Sequence, residues 1–328
     1  MRSALGAGWR HSPWLQFAAK RLVGLALTFA LLIVVTFFIV RLFPGDPAVA
    51  AAGPDATPVQ VEQVRHELGL TDSLFVQFGG YVRGVVEGNL GTSYSLRQPV
   101  AESVSARLPF TLGIALLAIV LVLIVAIPAG MAVSVLTRGG RRRWLDHGFN
   151  AMTGLVAAIP SYVMATFLVL VFAVSLALLP PAYSNLRQAQ SFVLPVLGLA
   201  LGPICTVSRL VRRETAVVLE QDFVRTARGW RLGGLRLYGK YALPALMTST
   251  LTLGGLILTS MLGGAIVVET VFGWPGLGLE VVRAILVRDY PLIQGIILVL
   301  GMLAALLTLL VDVVLGLIDT RTLGSRNV

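Results

Sequence analysis

Residues 22–43 read LVGLALTFALLIVVTFFIVRLF, an apolar run broken only by Arg41 near its far end. About 20 such residues are enough to cross the ~30 Å hydrocarbon layer as a helix. A secretory leader would have a shorter apolar core followed by a small-residue cleavage site. This run ends instead on Leu-Phe-Pro-Gly-Asp-Pro at 42–47, so it reads as a retained anchor, the first transmembrane segment.

The same pattern recurs outward along the chain. Further apolar stretches cover Leu108–Leu136, interrupted by Pro128, and Phe149–Leu179, broken at Pro160. Others cover Phe192–Val207, with Pro195 and Pro203 inside, then Leu243–Val268 and Pro291–Ile318. Six spans are expected. The third stretch is too long for one upright helix and has to tilt, kink or project. Composition agrees: of 328 residues 56% are apolar and 13% charged, against ~25% charged in a soluble domain. Disorder needs the opposite balance, and the single Cys205 cannot form an internal bridge. The expected fold class is an all-α polytopic membrane protein.

Residues 44–107 differ. They carry seven acids and four bases and no run long enough to span, which predicts a long loop outside the membrane. Within it Pro58–Leu70 predicts a short amphipathic helix with Val59, Val61, Val64, Leu68 and Leu70 on its apolar side.

A net charge of +10 would point to nucleic acid in a soluble protein. Here the location of the bases decides otherwise. Residues 1–21, the loop after the second span (Arg138, Arg141, Arg142, Arg143), residues 209–243 and the tail 319–328 all fall on one side of a six-span chain. Together they hold 18 of the 26 Lys and Arg. The positive-inside rule makes that side cytoplasmic, with both termini inside, and removes the case for nucleic acid.

The richest of these segments is Arg212-Arg-Glu-Thr-Ala-Val-Val-Leu-Glu-Gln-Asp-Phe-Val-Arg-Thr-Ala-Arg-Gly-Trp-Arg-Leu-Gly-Gly-Leu. It is long for a connection that only reverses direction. Helix-forming content from Glu214 to Arg228 gives way to Gly233 and Gly234. Such a helix could dock in a groove of a soluble partner, or the segment could be a basic loop that only sets topology.

Asp222-Phe-Val-Arg-Thr-Ala-Arg resembles the corresponding segment of permeases of the ATP-binding-cassette importers, in the dipeptide and oligopeptide group. On the pattern EAA-x3-G-x9-I-x-LP, Arg225-Thr-Ala stands at EAA and Tyr241-Ala-Leu-Pro244 at I-x-LP. Arg231 occupies the glycine position, and Gly229 is the candidate to serve the turn in a shifted register. Other matching pieces are Pro44-Gly-Asp-Pro47, Leu68-Gly-Leu-Thr71, Gly88-Asn-Leu-Gly-Thr-Ser93, Arg107-Leu-Pro-Phe-Thr-Leu112 and Ile159-Pro-Ser-Tyr162. Towards the end come Glu269-Thr-Val-Phe-Gly-Trp-Pro-Gly-Leu-Gly278, Arg288-Asp-Tyr-Pro-Leu-Ile-Gln-Gly295 and Val311-Asp through Thr320-Arg321. Their order and the long loop after the first span are similar to the B-type permease.

The resemblance implies a coupling helix in which Asp222, Phe223, Arg225, Thr226, Ala227, Arg228, Gly229 and Arg231 meet a separate ATPase. It implies a homologous C-type second permease, two ATP-binding subunits or one fused ATPase, an external solute-binding protein and a bacterial cytoplasmic (inner) membrane. ATP and magnesium would be bound by the partner chains, with no cofactor in this one. The sequence itself has no GxxxxGK[ST] loop and no HExxH. His11, His66 and His147 are too scattered for a metal site, and no catalytic constellation is expected. The resemblance implies peptide as substrate, with nickel chelates or another small solute as the alternative. A secondary transporter driven by an ion gradient is the reading from a different class. It would favour inverted repeats and midplane ionisable groups.

Four residues are candidates for the substrate path or a gate: Thr252, Thr259, Glu269 and Asp312. Thr248, Thr252, Gly255, Thr259 and Gly263 share one face of the fifth span, suited to close helix packing and, alternatively, to lining a pore. Asp312, inside the sixth apolar stretch, would bind a substrate amine or, preferably, pair with an Arg near the cytoplasmic surface. Glu269 stands at the external end of the fifth span, beside a Phe272-Gly-Trp-Pro-Gly turn that could cap the outer mouth.

Overall fold

The computed structural model describes residues 13–42, 45–53 and 55–318. Arg2, Arg10 and His11, the tail 319–328 with Thr320 and Arg321, and Phe43 and Pro44 lie outside the described residues, as does the Thr248 side chain.

Helix α1 covers Pro13–Leu42. The long loop holds three short helices, α2 (Pro47–Ala52), α3 (Pro58–Glu67) and α4 (Leu74–Val86), before α5 (Val100–Leu136). Next come α6 (Arg143–Ala158) and α7 (Ser161–Leu168), the latter widening into a π-helix over Val169–Ser175. Helix α8 (Gln188–Ser191) leads into α9 (Val193–Val218), and α10 (Asp222–Gly229) follows. Helix α11 (Gly234–Arg236) runs through a π-helical stretch, Leu237–Ala242, into α12 (Leu243–Val271). Helices α13 (Leu277–Leu286) and α14 (Tyr290–Ile318) complete the described chain.

Helices α1, α5, α9, α12 and α14 are long and apolar enough to cross a membrane. The α6–α7 pair makes a sixth span if counted as one, although it is bent by 94°. The bend has a local cause. Pro160 has no N–H to continue the ladder, and Ile159 takes the extended backbone (φ −76°, ψ 123°) that a residue before proline prefers.

Several boundaries differ from the sequence expectation. Helix α5 starts at Val100 rather than Leu108 and runs through Pro109 and Pro128 unbroken. In a packed bundle, neighbouring groups can satisfy the carbonyls that a proline frees. Helix α9 continues past Val207 to Val218, because Val211, Thr215 and Val218 carry its buried face through the polar stretch. The helix expected from Glu214 to Arg228 is therefore two helices, parted where Gln221 is extended (φ −70°, ψ 149°). Helix α3 forms with a Thr57–Gln60 capping box. Its apolar side is only half covered: Val61, Val64 and Leu70 are partly buried against α2 and its surroundings, Val59 and Leu68 are exposed, and none of its residues is fully buried.

The long loop is fastened to the bundle. Helix α4 lies against α1, with Phe78 edge-on to Phe37 at 5.1 Å and the Tyr81 and Thr36 hydroxyls 2.9 Å apart. The main core is formed by α5, α7, α9 and α12. The crossing of α5 with α9 depends on Gly130, where a methyl group would sit 2.5 Å from the Ser208 carbonyl. Small residues permit this approach where helices associate by packing. Trp274 closes one end of the core. Tyr183 and Phe192 stand edge-on to it at 5.0 and 4.5 Å, and its indole N–H donates to the Phe110 carbonyl at 3.1 Å. Such ring pairs add ~0.5–1.5 kcal/mol each beyond their buried area.

Candidate functional site

The basic end of the bundle, where α5 and α9 finish and α12 begins, carries α10. Asp222 sits in its first turn, where a negative charge suits the helix dipole, and the Thr226 hydroxyl bonds back to the Asp222 carbonyl at 3.0 Å. The Arg225–Asp222 pair at 3.7 Å is exposed and contributes little. Val224 and Ala227, three residues apart, point inward. They pack with Val218, Leu219, Leu237, Ala242 and Leu246 in a small core shared with the foot of α12. Ala227 is only 1% exposed, so it seats the helix on its own chain.

The outward side is different. Phe223 is 43% exposed and Trp230, just beyond the last turn, 66% exposed. With Thr226 they stand at i, i+3 and i+7, which is one stripe along the helix. Trp230 was not among the residues singled out from sequence. An aromatic seven residues from Phe223 was the available signal. Asp222, Arg225 and Gly229 are also exposed, and Arg228 is half-buried.

Arg231 adopts a left-handed backbone, φ +55°. That is the conformation in which glycine is at no disadvantage, so the turn stays at the position where the family pattern has glycine. It does not shift to Gly229, which remains the last residue of α10. The chain then re-enters helix at Gly234 and continues through Leu237–Ala242 into α12. Helix α12 has 29 residues, about 43 Å at 1.5 Å per residue, so its foot beside α10 and its last turn lie at opposite ends of the bundle.

At that far end Glu269 is fully buried. Its Oε2 accepts the amides of Gly278 at 2.6 Å and Leu279 at 3.2 Å, which holds the start of α13 against the end of α12. A methyl group on Gly276 or Gly278 would overlap this carboxyl group. The Leu277 amide donates to Thr111 at 2.8 Å, and Arg107 pairs with Glu280 at 2.9 Å. The sequence did not show α13, because its ten residues contribute less apolar length than a span requires. Glu269 is thus a brace between two helices.

Of the four path candidates, Thr259 and Asp312 line one cleft between α1, α12 and α14, and Thr252 and Glu269 are not among its walls. Thr259 meets the Thr308 hydroxyl at 3.1 Å and bonds to the Gly255 carbonyl. Gly255 admits Val311 so closely that a methyl group would overlap it. This part of the stripe packs α12 on α14. Thr252 is exposed, and Asp312 pairs with Arg21 at 2.7 Å, tying α14 to α1. Among the described residues no group of three or more His, Cys, Asp or Glu could hold a metal ion.

Comparison with known proteins gives a consistent result. Residues 126–324 match the family model described as binding-protein-dependent transport system inner membrane component, and residues 14–115 match that of its N-terminal part. A Brucella abortus (strain 2308) protein named "Putative peptide transport system permease protein" is 36% identical over 294 residues. The match covers 88% of this chain and 92% of that protein. The glutathione transport system permease protein GsiC of Shigella flexneri serotype 5b is 36% identical over 307 residues, covering 93% of this chain and 98% of its own. Among solved structures, a chain of the MetNI methionine ABC transporter, in inward-facing conformations, superposes with a TM-score of 0.53 at 15% identity. That match spans 66% of this chain and 96% of the other, and shows a shared fold.

Proposed function

The chain belongs to the binding-protein-dependent transport system inner membrane component family, and from that premise we propose that it is one permease half of an ATP-driven importer of peptides. It is a multi-pass membrane component and not itself an enzyme. A second, C-type permease would complete the path, and an external solute-binding protein would deliver the substrate. ATP and magnesium would be held by one or two separate ATPases on the side of the basic segments, with both termini on that side.

The observation that carries this reading is the build of α10. Its inner face is fixed to the foot of α12 through Val224 and Ala227, and its outer face presents Phe223, Thr226 and Trp230, all three exposed among the described residues. Exposed aromatics on a rigidly seated helix are the kind of anchor that protein interfaces concentrate their binding energy on. The peptide assignment is supported by the 36% identical relatives named for peptide and glutathione transport.

The test is ATPase activity of the complex reconstituted with its binding protein, over a panel of di- and oligopeptides and nickel chelates. Stimulation by peptides is expected. Stimulation only by chelates would replace the substrate class. Uptake by this chain alone under an ion gradient would overturn the ATP-driven reading.

A further inference from the structure

We propose that a cleft at the basic end binds a phosphate-type anion. The cleft has a volume of about 460 Å³ and lies where the end of α5, the first turn of α6 and the last turns of α9 meet. Ser134, Arg138, Arg143, Arg212, His147 and Glu220 are among its walls.

Two buried donors line it without partners. Ser134 is 5% exposed and its hydroxyl has no hydrogen bond, and neither has Nε of Arg212. A buried donor left unsatisfied costs about 1–3 kcal/mol, so an acceptor entering the cleft and reaching either donor would relieve that cost. The remaining charges sort by availability. Arg212 is paired with Asp146 through its Nη2, and Arg138 donates to the Leu219 carbonyl at 3.3 Å. Arg143 is exposed and makes no ion pair among the described residues. Of the two carboxylates lining the cleft, Asp146 is engaged by Arg212 and Glu220 is exposed.

With the Arg212–Asp146 pair set aside as neutral, two further guanidinium groups, an imidazole and a free buried hydroxyl, set against the one remaining carboxylate, call for a ligand rich in acceptors. Planar guanidinium forks match the oxygens of a phosphate group. The volume exceeds what bare phosphate fills, leaving room for the organic part of a phosphorylated metabolite or for the glycerol of an anionic phospholipid. Leu219 and Glu220, in the wall, are separated from α10 only by its N-cap Gln221. Occupancy would fix the base from which the coupling segment departs, independently of any transported solute.

Hydrogen–deuterium exchange on the assembled transporter tests this, because it reads the cleft separately from nucleotide sites on other chains. One arm adds inorganic phosphate in detergent. A second compares nanodiscs of zwitterionic lipid with nanodiscs containing an anionic phospholipid, without phosphate. Segments 137–147 and 216–221 should exchange about tenfold more slowly at phosphate ten times its Kd, or in the anionic nanodiscs. Ser134→Ala and Arg143→Gln should each remove the effect. Protection in the first arm identifies a soluble anion and in the second a lipid headgroup. Protection in neither arm, or equal protection in wild type and both variants, overturns the proposal.

Discussion

Asp289 accepts the Ser93 hydroxyl at 2.6 Å, joining positions 196 residues apart. The same Oδ2 takes the Ser95 hydroxyl at 2.7 Å and amide at 2.9 Å, while Oδ1 takes the Leu292 amide at 3.3 Å. Two motifs that are separate in sequence, Gly88–Ser93 and Arg288–Gly295, thereby form one latch between the long loop and the head of α14. Burial pushes the Asp289 carboxyl up, but the hydrogen bonds from Ser93 and Ser95 outweigh it and hold the group below its ordinary value of 3.8.

The latch is therefore acid-sensitive. With the folded value below the unfolded one, its stabilisation is complete above the ordinary carboxylate range. It is lost as pH falls through the folded value. Asp289→Asn should lower stability at neutral pH by about 1.5–3 kcal/mol and flatten the acid limb of the unfolding profile. Unfolding midpoints of both proteins between about pH 3 and 7, a range that spans the ordinary carboxylate values, provide the check. An identical acid limb would remove Asp289 from the account.

Gly278→Ala should prevent correct assembly of α12 with α13. The added methyl group meets the Ile266 backbone and the Glu269 carboxyl group, and overpacking of this kind typically costs about 1–3 kcal/mol or more. Gly24→Ala, in open space on α1, is the matched control and should be stable. Unfolding midpoints of the two variants decide it.

Trp230→Ala should leave folding intact, since the side chain is mostly exposed, yet weaken ATPase docking by about 2 kcal/mol, roughly thirtyfold. Val224→Ser should instead destabilise the chain itself, because Val224 is fully buried. Affinity for the ATPase and unfolding midpoint, measured side by side, separate the two. Unchanged affinity in Trp230→Ala would remove it from the interface.

Arg231→Gly should stabilise the chain by about 1 kcal/mol, the order of the penalty for a side chain in left-handed backbone. Gly229→Ala meets nothing within 4 Å and should also gain up to about 1 kcal/mol from helix propensity. Loss of solute-stimulated hydrolysis in Gly229→Ala with stability intact would report on docking alone. A destabilised Arg231→Gly would contradict the turn geometry described above.

The sequence by itself determined the all-α membrane class, five of the six expected spans and where the bases cluster, because apolar length and charge placement are properties of local composition; whether the bent α6–α7 pair is the sixth is a matter of its 94° tertiary bend. It located α10 from the Asp222–Arg228 motif, and it placed the kink at Pro160, since a missing N–H acts on its own neighbourhood. Which way each side chain faces was settled only by tertiary packing. Ala227 and Phe223 lie in one short motif, yet one faces the foot of α12 and the other faces outward. Glu269 reads from the sequence as a gate charge at the outer mouth, and Asp312 as a charge that pairs with an Arg near the cytoplasmic surface, without saying which Arg. The fold turns the first toward the Gly278 amide and the second toward Arg21, because a buried carboxyl group is tolerated where donors converge on it, and those donors come from other helices. Ser134 and Arg212, whose hydroxyl and Nε are unpaired, likewise line one cleft only through tertiary packing. Their proximity depends on how α5 crosses α9 at Gly130, a contact between residues far apart in the chain.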